Sequence, residues 1–140
     1  MVRFSCQMGN LTSLDISNRE SLAESPLLDF SRLENLKKLR LSHLKGLTEM
    51  SGLGELGYLA ELDIRYCDSL EMIGSLSESK RLKKISIMEC SKLREIRGLN
   101  KLFLASIQIE GCGSVGNIDE LKKRCVWGSF DELEVENNAD

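Results

Sequence analysis

The chain has 140 residues, with 19 Lys and Arg against 22 Asp and Glu, giving a formal net charge of −3. Its 41% hydrophobic and 29% charged content exceeds what a disordered segment carries in apolar residues and suits one domain or a piece of a larger protein. The mild acidity argues against nucleic-acid binding by phosphate neutralisation, and a single histidine, His43, leaves no histidine-rich metal site or H-E-x-x-H metalloprotease to build.

From the N-terminus, residues 1–8 lack the long apolar segment of a signal peptide, and no run approaches the ~18 apolar residues of a membrane span. Asn10-Leu11-Thr12 matches a glycosylation sequon, which without a secretory signal reads as chance. The cysteines at 6, 67, 90, 112 and 125 are separated by 61, 23, 22 and 13 residues, so no C-x-x-C exists and zinc is not expected. Their odd number favours a reducing, intracellular setting.

Residues 1–10 read as a partial leading repeat, since Met8 and Leu11 already occupy repeat positions. Leu11-x-x-Leu14-x-Ile16 then recurs as Leu36-x-x-Leu39-x-Leu41, Leu59-x-x-Leu62-x-Ile64, Leu82-x-x-Ile85-x-Ile87 and Leu104-x-x-Ile107-x-Ile109. The spacings of 25, 23, 23 and 22 residues fall within the leucine-rich-repeat window. Parallel strands are predicted near 13–17, 38–42, 61–65, 84–88 and 106–110, with a weaker sixth near 132–136 from Phe130-x-x-Leu133-x-Val135.

After each strand the apolar residues step by three, as in Cys67-x-x-Leu70-x-x-Ile73, Cys90-x-x-Leu93-x-x-Ile96 and Cys112-x-x-Val115-x-x-Ile118, and break at Gly52, Gly74 and Gly98. The steps depart from the strand period of 2, so each repeat reads as one coil: a strand, an inward turn and a return path of turns or short helices. The expected architecture is an α/β-type repeat solenoid with its parallel sheet on the concave face. Stacked coils bury Leu14, Leu39, Leu62, Ile85 and Ile107 as one column and Ile16, Leu41, Ile64, Ile87 and Ile109 as another. The evenly spaced cysteines read as small buried residues of the repeat, and His43, one place before their position, as a surface or turn residue. Near the C-terminus a short helix is expected within 117–124, and 126–140 reads as a cap or last partial repeat with an acidic tail. The repeats thus run over 11–125.

Residues between the inward pairs must point out along the concave strands. The middle column is Asp15, Arg40, Asp63, Ser86 and Gln108, flanked by Lys38, Glu61 and Lys84 and by Arg65, Met88 and Glu110. Lateral neutralisation along Asp15–Arg40–Asp63 and Lys38–Glu61–Lys84 is expected at the ~4.8 Å strand spacing. The candidate protein-binding surface comprises Arg40, Asp63, Arg65, Tyr66, Lys84, Met88, Gln108 and Glu110. Arg65, Tyr66 and Met88 are its best contact residues, combining a guanidinium, an aromatic and a flexible thioether. With one histidine and no recognisable motif, no nucleophile, base and orienter can be assigned, so neither catalysis nor a cofactor is expected.

The run Leu82, Ile85, Ile87, Cys90, Leu93, Ile96, Gly98, Leu99 and Leu102 closely resembles the C-terminal leucine-rich repeats of plant intracellular nucleotide-binding disease-resistance receptors, especially those with an N-terminal TIR domain. The resemblance covers about residues 11–125. It implies ligand sensing and restraint of signalling in the cytoplasm, with the nucleus as an alternative, and protein partners: a pathogen effector, a host guardee or other domains of a parent receptor. No P-loop G-x-x-x-x-G-K-[ST] and no TIR-like block occurs. A receptor fragment, a truncated product or a small repeat-only relative is therefore expected. The alternative, an F-box-type leucine-rich-repeat substrate adaptor, needs a helical docking motif ahead of the repeats, for which ten residues leave no room.

Overall fold

The computed structural model describes residues 2–3, 10–17, 27–99, 102–113 and 115. Five long strands, β2 (Ser13–Ser17), β4 (Lys38–Ser42), β6 (Glu61–Arg65), β8 (Lys84–Met88) and β10 (Ser106–Glu110), coincide with the strands read from the L-x-x-L-x-I pattern. They form one parallel sheet in the order β2-β4-β6-β8-β10. Leu39 pairs with Leu14 and Leu62, and Ile85 with Leu62 and Ile107, so each inward residue stacks on its repeat equivalent. The predicted sixth strand near 132–136, the helix within 117–124 and the cap at 126–140 lie outside the described residues.

The return side holds turns and a 3-10 turn at Leu53–Glu55, and also a second parallel ladder that the periodicity did not announce. Its short strands are β1 (Val2–Arg3), β3 (Leu27–Asp29), β5 (Glu49–Ser51), β7 (Met72–Ile73) and β9 (Glu95–Ile96), in the order β1-β3-β5-β7-β9. Leu28, Met50, Ile73 and Ile96 register with one another along it. The coils that begin with β2, β4, β6 and β8 therefore touch one another through two hydrogen-bonded edges.

The three-residue apolar steps are successive tight turns. The N–H of one inward residue bonds the carbonyl of the inward residue three before it: Leu47 to Leu44, Leu70 to Cys67, Leu93 to Cys90, Leu56 to Leu53 and Leu59 to Leu56, at 3.0–3.2 Å. Buried backbone groups must be paired, and a run of such turns pairs them while aiming every third side chain inward. Leu44, Cys67 and Cys90 are wholly buried in one column, as are Leu47, Leu70 and Leu93 in the next.

Gly52 and Gly98 open the return segments at φ 80° and 78°, in the left-handed region open to glycine at little cost. A β-carbon on Gly52 would also meet Ser31 N and Asp29 Oδ1, and one on Gly98 would come within 2.5 Å of Ser77 N. Ser79 stands in a leucine column with Leu33, Leu56 and Leu102. Its buried hydroxyl donates to Leu53 O at 2.9 Å, which satisfies a polar group in an otherwise apolar row.

Candidate functional site

The outer face of the long sheet follows from the same alternation that builds the core. Burial along β4 and β8 switches residue by residue, with Leu39, Leu41, Ile85 and Ile87 inside. Asp15, Arg40, Asp63, Ser86 and Gln108 are therefore cross-strand neighbours in one outward row.

Asp63 is the centre of this row. Arg40 Nε lies 3.2 Å from Asp63 Oδ2, and Arg65 Nε donates to Asp63 Oδ1 at 3.0 Å. The Asp63 side chain is only 18% exposed, against 61% for Arg40 and 48% for Arg65. Exposed ion pairs contribute little stability. The consequence here is positional: one carboxylate holds two guanidiniums, each still wetted and able to donate to an incoming carboxylate or carbonyl.

Tyr66, one residue past β6, is 46% exposed and packs against His43 with ring centroids 5.0 Å apart and planes 15° from parallel. Met88 is half-buried and registers with Arg65 and Glu110, while the Tyr66 N–H donates to Met88 O at 3.0 Å. Gln108 Nε2 donates to Glu110 Oε2 at 2.9 Å. Arg40, Asp63, Arg65, Tyr66 and Met88 are thus one contiguous patch that Gln108 and Glu110 extend. Lys84 stands apart at the opposite end of β8, exposed and without an ion pair among the described residues. Lys38 Nζ reaches Glu61 Oε2 at 3.5 Å, so the expected lateral chain Lys38–Glu61–Lys84 forms only in its first half.

The sequence did not reveal the Arg65–Asp63 pair or the His43–Tyr66 stack. The first is an i, i+2 contact on one strand face, and the second joins equivalent positions 23 residues apart; both signals are available once the register is known. Ser86 Oγ is buried in the same outward row and has no hydrogen-bond partner among the described residues.

Cys67, Cys90 and Cys112 carry free thiols. Cys67 Sγ lies 3.6 Å from Arg65 O and Cys90 Sγ 3.6 Å from Met88 O. Hydrogen bonding with Cys67 and burial hold the Cys90 thiol well above the usual range, and burial raises Cys112. A thiol so held is a poor nucleophile and metal ligand. Among the described residues no group of three or more His, Cys, Asp and Glu is arranged to hold a metal ion, and no helix is long and apolar enough to cross a membrane.

Comparison with curated proteins finds relatives in Arabidopsis thaliana. The chain is 36% identical to disease resistance protein RPS4B over 106 residues, 73% of this chain and 9% of that protein. It is 30% identical to disease resistance protein RPP2A over 115 residues, 79% of this chain and 8% of that protein. It is 37% identical to disease resistance protein RPP5 over 67 residues. The chain spans less than a tenth of these relatives' length. No protein-family model matches it, and no solved structure matches it at a significant level.

Proposed function

The chain is a leucine-rich-repeat relative of plant disease resistance proteins, and from that premise we propose that its concave sheet is the ligand-sensing and autoregulatory surface of an immune receptor. The observation that carries this reading is the patch of Arg40, Asp63, Arg65, Tyr66 and Met88, which stands on an in-register sheet and contributes nothing to the inward columns. Such outward positions can vary with the partner while the coil persists. The partner is a protein: a pathogen effector, a host protein under surveillance, or another domain of the parent receptor. The role is binding rather than catalysis, carried out in the cytoplasm or nucleus.

Immunoprecipitation of the tagged chain from plant leaf tissue, with mass spectrometry of the bound proteins, tests this. A partner bound by the native chain and lost with Arg65→Glu/Met88→Asp is the expected result. An identical set of bound proteins for native chain and a folded variant contradicts it.

A further inference from the structure

A second surface lies along the edge that leads into the long strands. The carbonyls of Thr12, Lys37, Ala60 and Lys83 each accept two N–H groups from the following coil. Lys37 and Lys38 bond Thr12 O at 2.7 and 3.1 Å, Ala60 and Glu61 bond Lys37 O at 2.8 and 3.1 Å, and Lys83 and Lys84 bond Ala60 O at 2.9 and 3.1 Å. These bonds hold Lys37, Ala60 and Lys83 as one row, with Lys37 and Lys83 about 10 Å apart at two ~4.8 Å strand spacings. The row two residues earlier is Asn35, Tyr58, Arg81 and Phe103. Tyr58 is 47% and Phe103 66% exposed, and the Arg81 guanidinium carbon sits 4.7 Å from the Tyr58 ring centre.

Charge is concentrated here against the balance of the whole chain. Lys37, Lys80, Arg81, Lys83 and Lys84 are all exposed, and none makes an ion pair among the described residues; only Lys38 does, with Glu61. Neither row carries a carboxylate, and Glu34 and Glu61 adjoin them in sequence, on a chain of net charge −3. A hollow of about 370 Å³, lined by Asn10, Thr12, Asn35, Lys37 and Tyr58, continues the edge.

We propose that this edge is a second docking surface that takes an acidic peptide segment of a partner protein, its carboxylates meeting the lysine rows and an apolar side chain meeting Tyr58 or Phe103. Charge complementarity selects the occupant. Cations fixed on a rigid frame attract carboxylates and speed their encounter, while exposed aromatics beside them supply contact area at low entropy cost. An inorganic polyphosphate fits less well, since it has no apolar group to set against Tyr58 or Phe103. The surface is independent of the concave patch, and either proposal can fail without the other.

The test is fluorescence anisotropy on the full chain at low salt, with a fluorescein-labelled peptide of about ten Asp and Glu residues around a central Trp as probe. A Lys peptide of the same length and an oligothymidylate serve as alternatives. The acidic peptide should bind and the Lys peptide should not. Binding should weaken at least tenfold in 0.5 M salt and in Lys37→Glu/Lys83→Glu, and about threefold in Tyr58→Ala/Phe103→Ala, with Arg65→Glu/Met88→Asp unchanged. If circular dichroism finds the charge-reversal variant unfolded, Lys37→Gln/Lys83→Gln takes its place, with a threefold loss expected. No binding by the acidic peptide, undiminished binding by a folded edge variant, or tighter binding of the oligothymidylate overturns the proposal.

Discussion

Tyr66 stacks on His43 across adjacent coils, and both residues hold left-handed backbone, at φ 56° and 58°. The equivalent residues of the next two coils, Glu89 and Gly111, do the same at φ 56° and 66°. Strands β4, β6, β8 and β10 thus each end in a left-handed residue that leads into the following Leu or Cys. The ladder runs on through these positions: the N–H of His43 bonds Arg65 O at 3.1 Å, that of Tyr66 bonds Met88 O at 3.0 Å, and that of Glu89 bonds Glu110 O at 2.8 Å. A side chain in this region costs about 1–2 kcal/mol, which the hydrogen bonds and the ring stack offset.

Glu89 offers a direct check. Glu89→Gly should leave stability unchanged or raise it by about 0.5 kcal/mol, the relief of strain being partly cancelled by the ~0.5–1 kcal/mol entropy of a glycine. Glu89→Val should cost more than about 1 kcal/mol, because a β-branched residue is a poor fit at positive φ. Urea melts of the two variants read the difference.

The inward columns set the stability. Leu62 is 1% exposed and registers with Leu39 and Ile85, so Leu62→Ala should cost about 2–5 kcal/mol and Leu62→Asp should abolish the cooperative thermal transition. A fully folded Leu62→Asp chain would mean that these residues do not share one core.

Glycine replacements should separate steric need from surface freedom. Gly52→Ala should cost more than about 1 kcal/mol, from positive φ and the approach of Ser31 and Asp29. Gly57→Ala, with nothing within 4 Å of the new carbon, should be within ~0.5 kcal/mol of neutral. Paired thermal melts decide it.

The cysteine column is expected to be structural. In a thiol-reagent titration, Cys67 and Cys90, both fully buried, should react only as the chain opens in denaturant. Cys90→Ala should lower stability by about 1 kcal/mol through lost packing without changing partner binding. Rapid labelling of both in the native state, or stoichiometric zinc in the purified protein, would contradict this.

How much of this was legible depended on how many inward residues an element carries. Each long strand holds two, as Leu62 and Ile64 in β6, and their repetition fixes strand, face and register together. The short strands β3, β5, β7 and β9 hold one or two residues that point in, such as Ile73 in β7, embedded in a period of three, so they read as turn. At the candidate site the lateral pair Arg40–Asp63 follows from register alone. Arg65 joins the same carboxylate, and Glu61 turns to Lys38 rather than Lys84, through side-chain choices among several allowed rotamers, which no spacing encodes.

The central claim is that the concave strands bind the protein partner. Its most direct test is the affinity of the immunoprecipitated partner for three chains matched for folding by circular dichroism: native, Arg65→Glu/Met88→Asp, and Arg94→Glu/Arg97→Glu on the return side, where both arginines are exposed. The concave variant should lose more than ~1 kcal/mol, the level at which interface residues stand out, while the return-side variant binds as the native chain does. Native affinity in the concave variant, with loss in the return-side one, would contradict the claim.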